Sequence, residues 1–496
     1  MPEAVTVGAQ GNERAGEPRI GLDVLLARTP EVVSRRRSGD SGSDVVISSV
    51  EIDSRHVRPG SLFACVRGEH SDGHAFAAGA VAAGAVALVV DHEVEVAANV
   101  AQIVVGDTRT AVAYLAASFH DRPSRSLDVI GVTGTNGKTT TTHILASALE
   151  ALGRPTGVIG TLSGAHTTPE SVELQQRLAE FRDRGDVAVA MEVSSHALAL
   201  DRVLGTRFRV GVFTNLGRDH LDLHETQERY FAAKAKLFDP SLTSEGVVNV
   251  DDVHGRLLLD TASIPITTYS VDDATDITVT AFEHDYVWRG QRLRVGLGGR
   301  FNVSNSLAAA TTLAVLGFTP ADIATGLAAT GPVRGRFEPV DRGQDFTVVV
   351  DYAHTPDALE LVLLAGRDVI TEHGRGGQLI VVFGCGGDRD HSKRPDMGRI
   401  AAAGADLAVL TSDNPRTEEP LAIINDVIDG VPADYRGRIA VEPDRHDAIA
   451  IALRAAGPGD VVVIAGKGHE TTQTFRSTVM PFDDRAVAQE LLETMS

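Results

Sequence analysis

"GVTGTNGKTTTT", residues 131–142, follows an apolar run at 127–130 and passes through glycines into one lysine and four threonines. A strand that breaks into glycines and then a helix start is the arrangement by which a backbone grips phosphate. The strict pattern G-x-x-x-x-G-K-[ST] is not met, because Val132 stands where its first glycine belongs. The variant keeps what the chemistry needs. Gly134 and Gly137 let backbone N–H groups approach phosphate oxygens, with Thr135, Asn136 and Thr140 completing the loop. Lys138 can reach the terminal phosphates, and Thr139 can ligate Mg²⁺.

Working outward, the strands "VAVAMEV" and "RVGVFTNL" alternate with helical stretches such as "TTHILASALEAL". That alternation predicts an α/β domain with a parallel sheet over residues 128–332. Its second strand ends in Glu192, a first-choice Mg²⁺ ligand beside a nucleotide. The strand after it runs into "TNLGRDHLDLH", which brings Asp219 and His220 to the same sheet edge. A further α/β alternation over 333–496 has four apolar strands, in "FTVVVDYAH", "LIVVFGCGG", "DLAVLTSDNPR" and "VVVIAGKGHE", that each end in glycines, charges or amides. Ligands of open α/β sheets sit at such carboxyl ends. Before the loop, residues 21–122 read as a first α/β domain of short strands and Ala-rich helices, closed by the linker "HDRPSRSLD". Residues 1–20 read as a loose tail.

Composition narrows the partners. A chain of 496 residues with 43% apolar side chains supports several packed cores. A formal charge of −21 argues against a nucleic-acid surface. Two cysteines far apart, Cys65 and Cys385, suggest free thiols in a reducing cytosol. The longest apolar stretch, "AFAAGAVAAGAVALVV" at 75–90, is too short to span a membrane and reads as a helix entering a strand, so no membrane insertion is expected.

Ten strings occur in order: "GVTGTNGKTT", "MEVSSHAL", "TNLGRDHLDLH", "YFAAKAKLF", "GRFNVSN", "GRFEPV", "DYAHTPDAL", "GCGGDRDHSKRPDMG", "SDNPRTEEP" and "AGKGHE". Together they closely resemble the Mur ligases, of the type that adds the third residue of the peptidoglycan stem peptide. The likeness runs from "DSRHVRPGSLF" at 53 to Glu470. It implies three domains: a UDP-binding domain, a central ATP-binding phosphate-loop domain, and a Rossmann-like domain that takes the amino acid. The reaction implied is amide ligation through an acyl phosphate, using ATP and Mg²⁺ in the cytoplasm, by a monomer acting on small-molecule substrates.

The resemblance also implies site residues. Lys138 would hold the γ-phosphate, Thr139 and Glu192 one Mg²⁺, and His220 a second. Lys234 of "YFAAKAKLF" would carry a carbamate, as N6-carboxylysine, although its residues alone read as an amphipathic helix with a solvated charge. Asn302, Asn305, Arg336, Asp351 and His354 would reach the nucleotide; Asn302 also reads as a helix cap. The acceptor UDP-N-acetylmuramoyl-L-alanyl-D-glutamate would meet Ser54, His70 and Ser71 at its uridine end and Thr167, Thr168, Ser194 and Arg202 at its peptide end. Two features depart from the family pattern: only "LSGA" separates "VIGT" from "HTTPE", where a longer hairpin is usual, and Leu200 replaces a polar residue.

Amino-acid choice would lie in Asp413, Asn414, Pro415 and Arg416 with Arg389, Gly466 and Glu470. Two arginines suit a ligand with a second carboxylate, meso-diaminopimelate. Three rivals stay open on sequence alone: addition of L-lysine or another diamino acid, a folylpolyglutamate-synthetase-like ligase, and a nucleotide-binding regulatory protein without turnover.

Overall fold

The computed structural model describes residues 18–34, 36–38, 45–68, 71–164, 166–217, 226–373 and 376–495. They pack as two compact units. The first takes the described residues up to Pro123 together with Pro169–Glu180 and Leu200–Thr206, and the second takes Ser124–Thr168, Phe181–Ala199 and the described residues from Arg207 onward.

In the first unit, strands Ser49–Glu51, Ser61–Ala64, Ala87–Val90 and Ala101–Val104 lie side by side in parallel, with Arg36–Ser38 antiparallel at one edge. Period-two alternation sends Leu62, Ala64, Ala87 and Val89 to one face and Phe63, Cys65, Leu88 and Val90 to the other. Both faces are buried, as a parallel sheet requires, and each large side chain contributes about 1.5–3 kcal/mol. The Ala-rich stretch is a helix, Ala77–Ala82, leading into the strand Ala87–Val90, as its pattern predicts. Helix Thr108–Phe119 covers one face, its start fixed by the Asp107 carboxylate accepting from Thr110 N at 2.9 Å.

Among the described residues the second unit holds two six-stranded sheets, a three-stranded one of Ala274–Val279, His284–Trp288 and Gln291–Val295, and the two-stranded hairpin Thr472–Phe475/Thr478–Pro481. Six parallel strands lie in the order Ile266–Tyr269, Thr243–Asn249, Phe208–Phe213, Asp128–Thr133, Ala188–Glu192, Thr156–Ile159. The strand that feeds the phosphate loop is central, where chain direction across the sheet reverses, and a crevice opens at its carboxyl end. Helix Lys138–Ala151 buries Ile144, Leu145, Ala148 and Leu149 in a core shared with helix Phe301–Val315.

The other large sheet runs Glu338–Pro339, Thr347–Asp351, Val461–Ala465, Leu379–Phe383, Leu407–Leu410, Ile439–Val441, all parallel except the first. The four strands read from the sequence as site-bearing are neighbours here, and their broken ends share one edge. The α/β expectation holds for both units. Among the described residues no helix is long and apolar enough to cross a membrane.

Under that edge lies a fully buried ion pair. Arg445 Nε and Nη2 donate to the two carboxylate oxygens of Asp484, each at 2.7 Å, and Nη2 also reaches Ala465 O at 2.9 Å. The pair ties helices Arg445–Ala455 and Asp484–Met495 to the end of the strand Val461–Ala465. Losing one partner would strand the other charge in the core. Asp484→Ala is expected to cost about 3–5 kcal/mol, read as an earlier midpoint in urea unfolding; an unmoved midpoint would mean that Arg445 finds another acceptor.

Cys65 and Cys385 are free and buried, and burial pushes both thiols up to about 12. Thiolate is the reactive form, so almost none is present at pH 8. Native protein should therefore resist iodoacetamide at both positions and take up two labels once unfolded, as counted by mass; rapid native labelling would contradict the packing.

Candidate active site

The phosphate loop is built by its neighbours as much as by itself. Gly137 begins helix Lys138–Ala151 at φ 87°, and a Cβ there would collide with Asn305 Oδ1. Gly134, at φ 152°, lies against Thr214 Oγ1 in the same way. Thr214 and Asn215, at the end of the strand Phe208–Phe213, hold the loop shape. Thr214 Oγ1 donates to Asn136 O at 2.6 Å, and Asn215 Oδ1 accepts from Asn136 N at 2.9 Å. Sequence reasoning passed over both; their signal was a Thr-Asn pair at a strand end, aimed at the same edge as the loop. Lys138 Nζ bends back to Gly134 O and Thr135 O, each at 2.9 Å.

Glu192 ends its strand fully buried, and Thr139 Oγ1 donates to its Oε2 at 2.9 Å. Thr161 N donates to Oε1 at 2.8 Å, and Arg336 Nη2 reaches Thr139 Oγ1 at 3.0 Å. Carboxylate, hydroxyl and guanidinium thus meet at the helix start.

Lys234 corrects its own residue-level reading as a solvated charge. It is only 1% exposed; its Nζ donates to Gly134 O at 2.8 Å and stands 4.4 Å from the Tyr230 ring centroid. The cause is helical spacing: on helix Gln227–Ala235, Tyr230, Ala233 and Lys234 share the inward face. Asp219 and His220 lie outside the described residues, as does His70.

Asn302 and Asn305 share a face of helix Phe301–Val315, with Asn305 Nδ2 donating to Asn302 Oδ1 at 2.8 Å. Asn302 does not cap the helix, which starts from Arg300; its amide donates to Gly298 O at 2.7 Å. Asp351 accepts from the Phe337 and Ala353 N–H groups, both at 2.7 Å. Burial raises its carboxyl above the usual range, with Arg336 opposing. Arg336 also stacks on Tyr352, 4.7 Å from the ring centroid.

These groups line one cleft of about 260 Å³: the loop from Thr135 to Thr140, Thr167, Glu192, Asn305, Arg336, Asp351 and His354. Asn302 lies beneath its wall. Phe301, Ala358, Leu361 and Val362 add an apolar side that sequence reasoning missed, because nothing in an apolar helix pattern separates a cleft wall from core.

A second cavity, of about 330 Å³, gathers Arg389, Asp413, Asn414, Arg416, Gly466 and Glu470. Pro415 is buried behind it. Tyr352 and His354 line both cavities, so the two share a wall. Arg416 sits at φ 52°, a conformation costing on the order of 1–3 kcal/mol for a side chain of this kind. The hairpin Thr472–Phe475/Thr478–Pro481 holds it there: Arg416 N donates to Thr474 O at 3.0 Å and Arg416 O accepts from Arg476 N at 2.5 Å. Asn414 Nδ2 donates to Glu470 Oε2 at 2.9 Å. Burial raises the Asp413 carboxyl, with Arg445 and Lys467 opposing. Burial pushes Glu470 the same way, but Lys467, Asn414 and His469 together outweigh it and hold that carboxyl low.

Thr168, Ser194 and Glu192 form a third polar group. Thr168 Oγ1 donates to Glu192 O at 2.9 Å and accepts from Ser194 N at 3.0 Å. Thr167 and Thr161 hydroxyls lie 3.0 Å apart. In the first unit, Arg202 pairs with Glu170 at 2.7 Å; Ser54 is half-buried in a turn, and Ser71 is exposed.

Sequence profiles of one family match three stretches: the Mur ligase family catalytic domain at 46–120, the Mur ligase middle domain at 132–313, and the Mur ligase glutamate ligase domain at 335–468. The UDP-N-acetylmuramoyl-L-alanyl-D-glutamate--2,6-diaminopimelate ligase of Syntrophomonas wolfei is 44% identical over 474 residues, covering 91% of this chain and 96% of that one. The protein of that name from Streptomyces coelicolor is 44% identical over 507 residues, covering 96% and 98%. A solved structure of a protein of that name superposes with TM-score 0.66 at 32% identity, covering 94% of this chain and 99% of that one. The folylpolyglutamate synthase of Mycobacterium tuberculosis, at 17% identity, TM-score 0.58 and coverage of 78% and 94%, shares the fold alone. With three profiles matched in chain order over this site, and relatives 44% identical along almost its whole length, the chain belongs to the Mur ligase family.

Proposed function

We propose that this protein is an ATP-dependent ligase that joins meso-2,6-diaminopimelate to UDP-N-acetylmuramoyl-L-alanyl-D-glutamate, as a cytoplasmic monomer. The observation that carries the reading is the shared wall at Tyr352 and His354 between a phosphate-loop cleft and a cavity lined by two arginines, a lysine and four carboxylates. An activated carboxylate formed at the first cleft has a short path to an amine held in the second.

In this reading the nucleotide lies with its phosphates on the loop from Gly134 to Thr140 and its base against Phe301, Leu361 and Val362. The backbone N–H groups at the start of helix Lys138–Ala151 and the Lys138 ammonium bind the β- and γ-phosphates. The Thr139 hydroxyl and Glu192 carboxylate, 2.9 Å apart, are hard oxygen donors that suit Mg²⁺. Bound there, the ion supplies charge neutralisation at the phosphate oxygens. His220 is the expected holder of a second ion. Burial beside Gly134 supports a carbamate on Lys234, which would turn a cation at the phosphate loop into an anion.

The acceptor's terminal carboxylate attacks the γ-phosphorus, giving an acyl phosphate and ADP. The diaminopimelate amine then attacks the acyl carbon, and the tetrahedral intermediate expels inorganic phosphate and loses a proton. Ser54, His70, Ser71, Thr167, Thr168, Ser194 and Arg202 are the residues assigned to the acceptor, so that positioning supplies most of the rate. Arg389, Arg416 and the Asn414 amide bind the distal carboxylate of diaminopimelate, while Gly466 and Glu470 receive its distal ammonium and Asp413 and Pro415 complete the site. L-Lysine lacks that carboxylate and would leave desolvated guanidinium without a partner.

Phosphate release with ATP, Mg²⁺ and the UDP-linked acceptor, run in parallel with meso-diaminopimelate and with L-lysine, tests this directly. Release is expected with diaminopimelate; release with lysine alone would overturn the specificity, and release with neither would overturn the ligase reading. Arg416→Lys should raise KM for diaminopimelate by about 10-fold or more, since an ammonium cannot pair bidentately, and leave KM for ATP within about 2-fold. Gly137→Ala should weaken binding of a fluorescent ATP analogue by about 10-fold or more, because a side chain is strained at φ 87° and its Cβ meets the Asn305 amide; unchanged affinity would count against the loop as the phosphate site.

A further inference from the structure

Lys467 stands behind the second cavity. It is fully buried, and its neighbours Gly466 and Glu470, not Lys467 itself, contribute to the cavity wall. Its Nζ lies 3.1 Å from Glu470 Oε2, 3.5 Å from Asn414 Oδ1 and 3.6 Å from Asp413 Oδ1. A buried ammonium loses several kcal/mol of hydration, on the order of the attraction it regains, so net stability is a weak reason to keep one here.

The groups around it share one geometric problem. Asn414 has an amide that can face either way, and its direction decides whether the cavity meets a donor or an acceptor. Its Oδ1 faces Thr474 N at 3.0 Å, while its Nδ2 donates to Glu470 Oε2 at 2.9 Å. Lys467 closes that circuit, touching the oxygen end of the amide and the same carboxylate oxygen. It also separates two acids: without its charge, Asp413 and Glu470 would face each other across a buried site with only Arg445 behind them, and one would take a proton or turn away.

We propose that Lys467 is a positioning residue for amino-acid selection, holding the Asn414 amide with its donor end away from Lys467, where it can serve a ligand carboxylate, and the Glu470 carboxylate in the arrangement that receives the distal ammonium. This rests on reading the cavity as the amino-acid site. Lys467 acts through Glu470 and Asn414 and does not touch the substrate.

The test uses the full chain with Lys467→Met, Glu470→Gln, the double variant and Arg416→Lys, comparing KM for meso-diaminopimelate, KM for ATP and kcat by phosphate release. Lys467→Met is expected to raise KM for diaminopimelate on the order of 10-fold while KM for ATP stays within about 2-fold, and the double variant should be no worse than Glu470→Gln alone. A general packing defect would move both KM values and add to the effect of Glu470→Gln, which would overturn the proposal. So would an unchanged KM for diaminopimelate in Lys467→Met when Glu470→Gln raises it. If neither Glu470→Gln nor Arg416→Lys alters that KM, the cavity itself has been misread. Should Lys467→Met not yield folded protein, Lys467→Gln, which keeps a donor without the charge, carries the same expectation and the same overturning result.

Discussion

Everything at the two cavities depends on one constraint: polar groups at the carboxyl edge of a buried parallel sheet have to find partners, because water does not reach most of them. In the sheet that feeds the phosphate loop the partners come from the next strand end. Thr214 and Asn215 satisfy Asn136, and Glu192 takes up Thr139 and Thr161. The loop is therefore shaped before any phosphate arrives, and preorganised donors of this kind need no rearrangement to meet developing charge.

The C-terminal sheet solves the same problem with full charges. Arg445 and Asp484 anchor the edge from below, and Lys467, Asn414 and Glu470 form a circuit above them. Arg394 joins Glu418 and Asp426 at 2.8 Å each, beside the loop that carries Arg389, and Arg394 holds the Glu418 carboxyl down to about 2. Buried charges left alone would be costly, so these networks make the cavity's geometry all-or-none. The hairpin Thr472–Phe475/Thr478–Pro481 adds backbone hydrogen bonds that keep Arg416 in its left-handed conformation. Specificity in such a site resides in parts far apart in the chain.

The strands, the phosphate loop and Glu192 were legible because their signals are local: an apolar run of fixed period, glycines where the backbone turns, an acid at a strand end. Lys234 was not. Its helix places a lysine one residue from Ala233, and only the packing of that face against Gly134 distinguishes a buried ammonium from a solvated one. Asn302 read equally as a cap, and its bond to Gly298 depends on where the preceding turn lies. Thr214, Asn215, Tyr352 and Lys467 went unnamed because each acts on a residue dozens of positions away or on the far side of a wall.

By itself, then, the sequence determined which elements form and what chemistry their ends carry, since strand period, helix starts and phosphate-loop glycines are properties of short stretches. Tertiary structure alone decided which ends meet: that Arg336 reaches Thr139, that one tyrosine and one histidine serve two cavities, and that Lys467 faces inward. The reason is physical. Propensity and periodicity act over a few residues, whereas burial, the quantity that turns a lysine from a surface charge into a structural one, is set by everything packed around it.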